Sequence, residues 1–194
     1  VASTRRAAVI IDAEDYFTHL REAMLGARER ILMIGWDFDT RMLLGPGRRW
    51  WNGPSRKRWP ARLGPFLLWL CNRRPALRVL VLKWNFGALK YLLRGTMLID
   101  LVRWALHPGI GFRFDSAHPL GCSHHQKIVV IDDRFAVCGG IDMTAGRWDT
   151  PEHKEGDLRR RLPFSPRLFG PWHDLTLMVE GDAATALGDL GRER

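Results

Sequence analysis

His125-Gln-Lys-Ile-Val-Val-Ile-Asp132 is the stretch on which the reading of this chain turns, and six residues separate Asp132 from the pair Gly139-Gly140. The segment is apolar after Lys127 and is expected to form a buried strand over 125–132. Side chains alternate along a strand, so His125 and Lys127, two apart, are expected on one face. An imidazole can act as a nitrogen nucleophile and an ammonium as a fixed positive charge, a pairing suited to attack on a phosphodiester. Asp132 then ends the strand at the turn Asp132-Asp133-Arg134, and a second strand over 135–138 leads into the glycines. A side-chain-free pair there is expected to let a bulky phosphoryl group approach the backbone.

Read without context, His125 and Lys127 are also compatible with ordinary solvent-facing strand residues, and Asp132 with a turn former. A metal site built from His118, His124 and His125 is a further reading. Adjacent strand residues face opposite ways, however, and no Cys or His pair has the spacing of a structural zinc site, so no metal is expected.

The spacing His-x-Lys-x4-Asp-x6-Gly-Gly resembles the HKD motif of the phospholipase D superfamily. The flanking segments AHPLGCSHHQK (117–127), GGIDMTAGRWDTPEH (139–153) and PWHDLTLMVEG (171–181) are similar to the first catalytic half of a bacterial phospholipase D or cardiolipin-synthase-like protein. The resemblance runs from about residue 8 to the C-terminus. It implies an α/β fold, a mixed β-sheet flanked by helices on both faces in an α-β-α sandwich, with residues 1–194 as one catalytic half of a pseudo-two-fold pair. It implies His125 as a nucleophile forming a phosphohistidine, Lys127 as the charge facing the non-bridging oxygens, and Asp132 as a motif member that acts mainly on strand–turn geometry. Gly139 and Gly140 would shape the phosphate pocket. Asp142 lies just behind them, where many relatives carry an amide. Asp174 matches the acid that orients the histidine, with His173 as the neighbouring rival. No cofactor is implied.

One histidine leaves departure of the leaving group without a general acid. In the superfamily a second His-x-Lys supplies it, and this chain contains no other; His153 and Lys154 are adjacent. The expected partner is a second HKD half in a longer chain or another copy in a homodimer. Val1 in place of Met, and a C-terminal segment from Asp182 that starts as a helix without a clear C-cap, read as a piece of a longer protein.

Composition bounds the rest. The chain has 194 residues, enough for one sizeable core. Cys71, Cys122 and Cys138 form no framework spacing and leave one unpaired, which favours a reducing compartment or simply buried thiols. The longest apolar runs, such as Phe66–Cys71, are far too short to span a bilayer. Neither G-x-G-x-x-G nor G-x4-G-K occurs, so no phosphate-cradling glycine loop is expected. Between Thr40 and Ile99 there are thirteen Lys or Arg and not one Asp or Glu, within a net charge of +9. That stretch suits anionic headgroups or nucleic acid, and equally a solvated basic face. Its densest part, Arg48 to Trp59, interleaves tryptophan with cations, as at an anionic membrane surface. Peripheral membrane or cytoplasmic placement is favoured.

Along the chain the pattern reads strand 7–11, helix from an Asp12 N-cap, strand 30–37, a Gly/Pro/Arg/Trp loop over 44–60, helix 63–72 and strand 77–84. A helical stretch over 87–106, an edge strand 111–114, the 125–132 and 135–138 strands, a polar loop over 143–171 and strand 173–180 complete it. The expected activity is hydrolysis of a glycerophospholipid to phosphatidic acid and an alcohol. Phosphatidyl transfer of the cardiolipin-synthase kind, a metal-independent nuclease acting as a dimer, and a non-catalytic anion-binding scaffold are the alternatives, with nucleic acid the less favoured partner.

Overall fold

The computed structural model describes residues 1–45, 59–84, 96–115 and 124–194. Most of the Arg/Trp loop, His118, Cys122 and residues 87–95 of the expected long helix lie outside that set. The elements run β1 (Arg6–Ile11), α1 (Ala13–Gly26), β2 (Arg30–Gly35), α2 (Leu63–Arg73), β3 (Arg78–Trp84), α3 (Thr96–Ala105), β4 (Ile110–Asp115), β5 (Ile128–Ile131), β6 (Phe135–Gly139), β7 (Leu175–Glu180) and α4 (Asp182–Arg192). Between β6 and β7 the long loop holds a single 3₁₀ turn, Ala145–Arg147.

All seven strands form one sheet in the order β1-β7-β6-β5-β2-β3-β4. Strands β2, β3 and β4 are parallel, and β5, β6, β7 and β1 continue the sheet by antiparallel pairing, so the sheet is mixed. Alternation along β5 decides what each face holds. Val129 and Ile131 join Tyr16, Phe17 and Leu20 of α1, Phe66 and Leu67 of α2 and Trp104 of α3 in the larger core. Ile128 and Val130 join Leu32, Ile34, Val179 and Ala184 of α4 in a smaller one. Both faces are therefore covered, which is why β2 and β5 are apolar at consecutive positions rather than at every second one. Helix α4 approaches closely because its inward residues are Ala184, Gly188 and Gly191. A Cβ on Gly191 would lie 2.3 Å from Leu32 Cδ2.

Two boundaries differ from the sequence expectation for physical reasons. The catalytic-type strand shrinks from 125–132 to 128–131, since residues 124–127 approach the sheet without forming a strand. Asp12 does sit at the N-cap of α1, but its side chain makes no capping hydrogen bond. It has φ 61°, an uncommon conformation for a residue with a Cβ, and its carboxylate points elsewhere.

Asp132 holds the far end of β5. Its carboxylate accepts the backbone N–H groups of Arg28, Glu29 and Arg30, each at 2.8 Å. It thereby ties the β5–β6 turn to the α1–β2 connection. Burial pushes its pKa up, but those three donors together with Arg134 outweigh it and hold the group below the usual carboxylate value. Its folded-state pKa is depressed, so the stability it contributes is present above the unfolded value near pH ~4 and fades as pH falls through the folded value. Asp132→Ala is expected to cost about 2 kcal/mol at pH 7 in urea unfolding. The difference from wild type should shrink steadily below about pH 4; a gap that does not narrow with acid would refute this role.

Candidate functional site

Strand directions bring one set of chain segments to a single rim of the sheet. The C-terminal ends of β1, β2, β3, β4 and β6 lie there with the start of β5 and the start of β7, as the pairs Ile11↔Leu175, Gly139↔Thr176, Ile128↔Cys138, Ile34↔Ile128, Gly35↔Lys83 and Trp84↔Asp115 require. His125 and Lys127 therefore emerge at the middle of this rim, just ahead of β5.

The two differ in setting. His125 is exposed, and its ring meets Trp36 edge-on with centroids 5.9 Å apart. Lys127 is only 8 % exposed. Its Nζ donates to the His125 carbonyl oxygen at 3.3 Å and lies 3.4 Å from Asp142 Oδ2, an ion-pair contact without hydrogen-bond geometry. Asp142 Oδ1 accepts the Asp37 N–H at 3.1 Å. The Asp37 carboxylate in turn takes the Lys83 ammonium at 2.6 Å. The segments after β2 and β6 run side by side through a Phe38↔Met143 bridge, which is what brings Asp37 against Asp142. Burial raises the Asp142 pKa, opposed by the Asp37 N–H and the Lys127 charge. The mouth thus holds an accessible imidazole beside two Lys–Asp pairs, Lys127–Asp142 and Lys83–Asp37, joined through the Asp37 N–H to Asp142.

The glycine pair has a different reason from the one expected. A Cβ on Gly139 would sit 2.4 Å from Thr176 Oγ1 and 2.6 Å from the Leu175 carbonyl oxygen. One on Gly140 would sit 2.1 Å from Asp174 Oδ1. The space beside both glycines is filled by the start of β7, so their lack of side chains serves strand packing rather than an open approach for a phosphoryl group.

Asp132 stands at the opposite end of β5 from His125, seven residues away and on the order of 20 Å along an extended chain. A catalytic contact at His125 is outside its reach. The structure also does not join Asp174 to His125. The Asp174 carboxylate accepts Leu175 N–H at 2.8 Å and Trp172 Nε1–H at 3.3 Å. Among the described residues no carboxylate is hydrogen-bonded to the His125 ring. The adjacent His124 turns to Asp115, with Nε2 3.5 Å from Oδ2, and Arg194 contacts both.

A second constellation lies on the same rim beyond β6. Asp12 Oδ1 accepts the Asp174 N–H at 3.2 Å and lies 3.0 Å from His173 Nδ1, and Asp12 Oδ2 lies 3.4 Å from His153 Nε2. His153 Nδ1 meets Asp149 Oδ2 at 2.9 Å, and that same oxygen accepts the Trp172 N–H at 2.8 Å. Arg160, itself buried, binds the other Asp149 oxygen at 2.8 Å. The Asp149 hydrogen bond leads the causes that raise the His153 pKa, with Asp12 adding to it. In the sequence Asp12 reads as a helix cap and His173 as a rival of Asp174, while Asp149 and His153 carry no role. Their one local signal is the Asp149-x3-His153 pair; the link to Asp12, more than a hundred residues away, is purely tertiary.

No model of a known protein family matches the chain. It is 29% identical over 156 residues to Phospholipase D1 of Rattus norvegicus, covering 76% of this chain and 13% of that protein. Against Phospholipase D1 of Saccharomyces cerevisiae it is 28% identical over 219 residues, 92% of this chain and 12% of the relative. The chain therefore spans only about an eighth of these relatives. Among solved structures, Nuc from Salmonella typhimurium, described as a phospholipase D family member, superposes with a TM-score of 0.53 at 13% identity, covering 97% of this chain and 94% of that one. The chain is thus similar in sequence to phospholipases D along most of its length and shares its fold with a solved phospholipase D family member across nearly all of it.

Proposed function

We propose that the chain is one half of a phospholipase D-type phosphodiesterase site. In this reading it hydrolyses a glycerophospholipid to phosphatidic acid and an alcohol. The observation that carries it is the accessible His125 imidazole at the rim with the Lys127 ammonium held beneath it. An unprotonated imidazole nitrogen attacks phosphorus, the P–O bond to the headgroup breaks, and phosphorus is held as a phosphohistidine. The departing alkoxide takes a proton from a second imidazole, which belongs to a matching half or another copy. That imidazole then takes a proton from water as the water oxygen attacks phosphorus and the P–N bond breaks. Lys127 screens the non-bridging oxygens as charge builds, from a position desolvated enough for one charge to count.

Transfer to an alcohol differs only in what attacks the phosphohistidine, so hydrolysis and phosphatidyl transfer are two outcomes of one site. The basic stretch between Thr40 and Ile99 supports an anionic membrane surface as the partner, and nucleic acid as the lesser reading.

With phosphatidylglycerol vesicles, product analysis without and with a primary alcohol is expected to yield phosphatidic acid alone and a phosphatidyl alcohol beside it, respectively. His125→Ala should lower turnover by roughly a thousandfold or more, and Lys127→Ala by about 10²–10³. If two copies complete the site, specific activity should rise with chain concentration; if a longer chain does, the missing half must be supplied. Turnover that survives His125→Ala, or metal-independent cleavage of DNA with no action on lipid, would overturn the reading.

The Lys127–Asp142 contact makes a separate stability prediction. Asp142→Ala removes the countercharge of a buried ammonium and the acceptor of the Asp37 N–H. It should cost about 3 kcal/mol in urea unfolding. Asp142→Asn keeps that acceptor and should recover about half of the loss, whereas exposed His125→Ala should change stability by less than ~0.5 kcal/mol.

A further inference from the structure

We propose that Asp12, His153 and His173 form a binding site for one divalent transition ion of the zinc type, separate from the His125 site. One carboxylate oxygen and two imidazole nitrogens from these residues all lie within 4.8 Å of one another, and they are the only such group among the described residues. Pairwise contacts are 3.0 Å from His173 Nδ1 to Asp12 Oδ1, 3.4 Å from His153 Nε2 to Asp12 Oδ2 and 3.2 Å between the two ring nitrogens. A tetrahedral ion with bonds of about 2.0–2.2 Å needs its ligand atoms roughly 3.3–3.5 Å apart, a scale these side chains approach with Asp12 offering one oxygen to each ring.

Three further observations favour an ion over an ordinary polar cluster. Asp12 Oδ2 is buried, on a side chain of 0 % exposure, and has no hydrogen-bond partner. A buried carboxylate oxygen left so is costly, and a cation between it and the rings would satisfy it. His153 hands its Nδ1 to Asp149 Oδ2 at 2.9 Å. That carboxylate–imidazole pairing fixes the tautomer and leaves the Nε2 lone pair facing inward, as behind many metal-bound histidines. Asp12 also adopts φ 61° and forgoes the N-cap bond open to it, a backbone cost matched by no capping gain.

Two imidazoles with one carboxylate suit Zn²⁺, Co²⁺ or Ni²⁺ better than Mg²⁺ or Ca²⁺, which prefer all-oxygen shells. The His173 side chain is 67% exposed, so the ion has an entry path and its remaining position faces solvent. Arg160, a buried cation, is paired with Asp149 Oδ1 rather than with Asp12. A bound ion would clasp the 149–153 loop to the tips of β1 and β7.

The test uses the purified chain, stripped with a chelator, then titrated with Zn²⁺ by calorimetry and with Co²⁺ by visible absorption. One equivalent is expected to bind, with tetrahedral-type Co²⁺ bands and a higher thermal midpoint. His173→Ala, at an exposed position that should leave folding intact, is expected to weaken binding by more than ~10-fold and to abolish the Co²⁺ bands and the thermal shift. His153→Ala should do the same, while His19→Ala, at an exposed site on α1, and His125→Ala should bind as wild type does. No stoichiometric binding, or binding unchanged in His173→Ala, would overturn the proposal. Binding lost in His125→Ala instead would move the ion to the phosphodiesterase site and equally overturn it. Since His125→Ala is expected to keep the ion yet lose turnover, failure here is distinguishable from failure of the phosphodiesterase reading.

Discussion

Strand β5 is the constraint on which the rest of the molecule hangs. Its four residues, Ile128–Ile131, are all buried, two against each layer of helices. It sits at the point where the parallel part of the sheet meets the antiparallel part. A one-residue slip would exchange the faces of all four side chains and expel a branched aliphatic from each core. The register is also pinned at both ends, by the Asp132 carboxylate on three backbone N–H groups at one and by Lys127 against Asp142 at the other. Because the strand cannot move, the residue that leaves it on the rim side emerges at a fixed place. That residue pair is Lys127 and His125, one drawn inward and the other left in water.

The same logic explains why charge runs so deep at this rim. Lys127, Asp142 and Lys83 are all nearly buried, and burying isolated charges would be prohibitive. They are tolerated as a chain of two Lys–Asp pairs that Asp37 links by donating its own backbone N–H to Asp142. Removing any one member strands its neighbour, so the chain acts as a unit rather than as separate pairs. The rigidity this confers suits a group that must hold a positive charge at one point beside an attacking nitrogen.

What the sequence disclosed followed from periodicity and spacing. Apolar runs and amphipathic helices marked nearly every element: Tyr16, Phe17 and Leu20 face the core as their helical spacing implies. The His-x-Lys-x4-Asp spacing marked the candidate site, because three polar residues at the ends of one apolar strand are a local pattern. What it hid is tertiary. Asp132 reads as a residue of strand–turn geometry, but the N–H groups of Arg28, Glu29 and Arg30 that it accepts lie about a hundred residues earlier and are joined to it only by the fold. Gly139 and Gly140 read as room for a ligand, but the room is taken by β7, which lies about 35 residues on. Lys83 stands near the end of an apolar strand with no local sign of a partner; only the parallel pairing of β2 and β3 brings it to Asp37. Asp12 reads as a helix cap, and nothing near it in sequence announces His153 or His173.

Charge balance along the rim bears on why a single copy is half of a site on the proposed reading. Lys127 faces Asp142, Lys83 faces Asp37, and His124 and Arg194 face Asp115. Each of these basic groups already has a carboxylate within 4 Å, so the described residues of the rim offer a geometry for a diester but little surplus positive charge to hold its two negative oxygens. A matching rim, turned about a two-fold axis to face this one, would add a second Lys-type cation and a second imidazole without adding to the oxygens that must be screened. The phosphate would then compete with Asp142 for Lys127 from one side while a second ammonium met it from the other. On that reading pairing would supply both the general acid and the further charge by one act of symmetry, and the exposure of His125 places its imidazole on the open side of the rim.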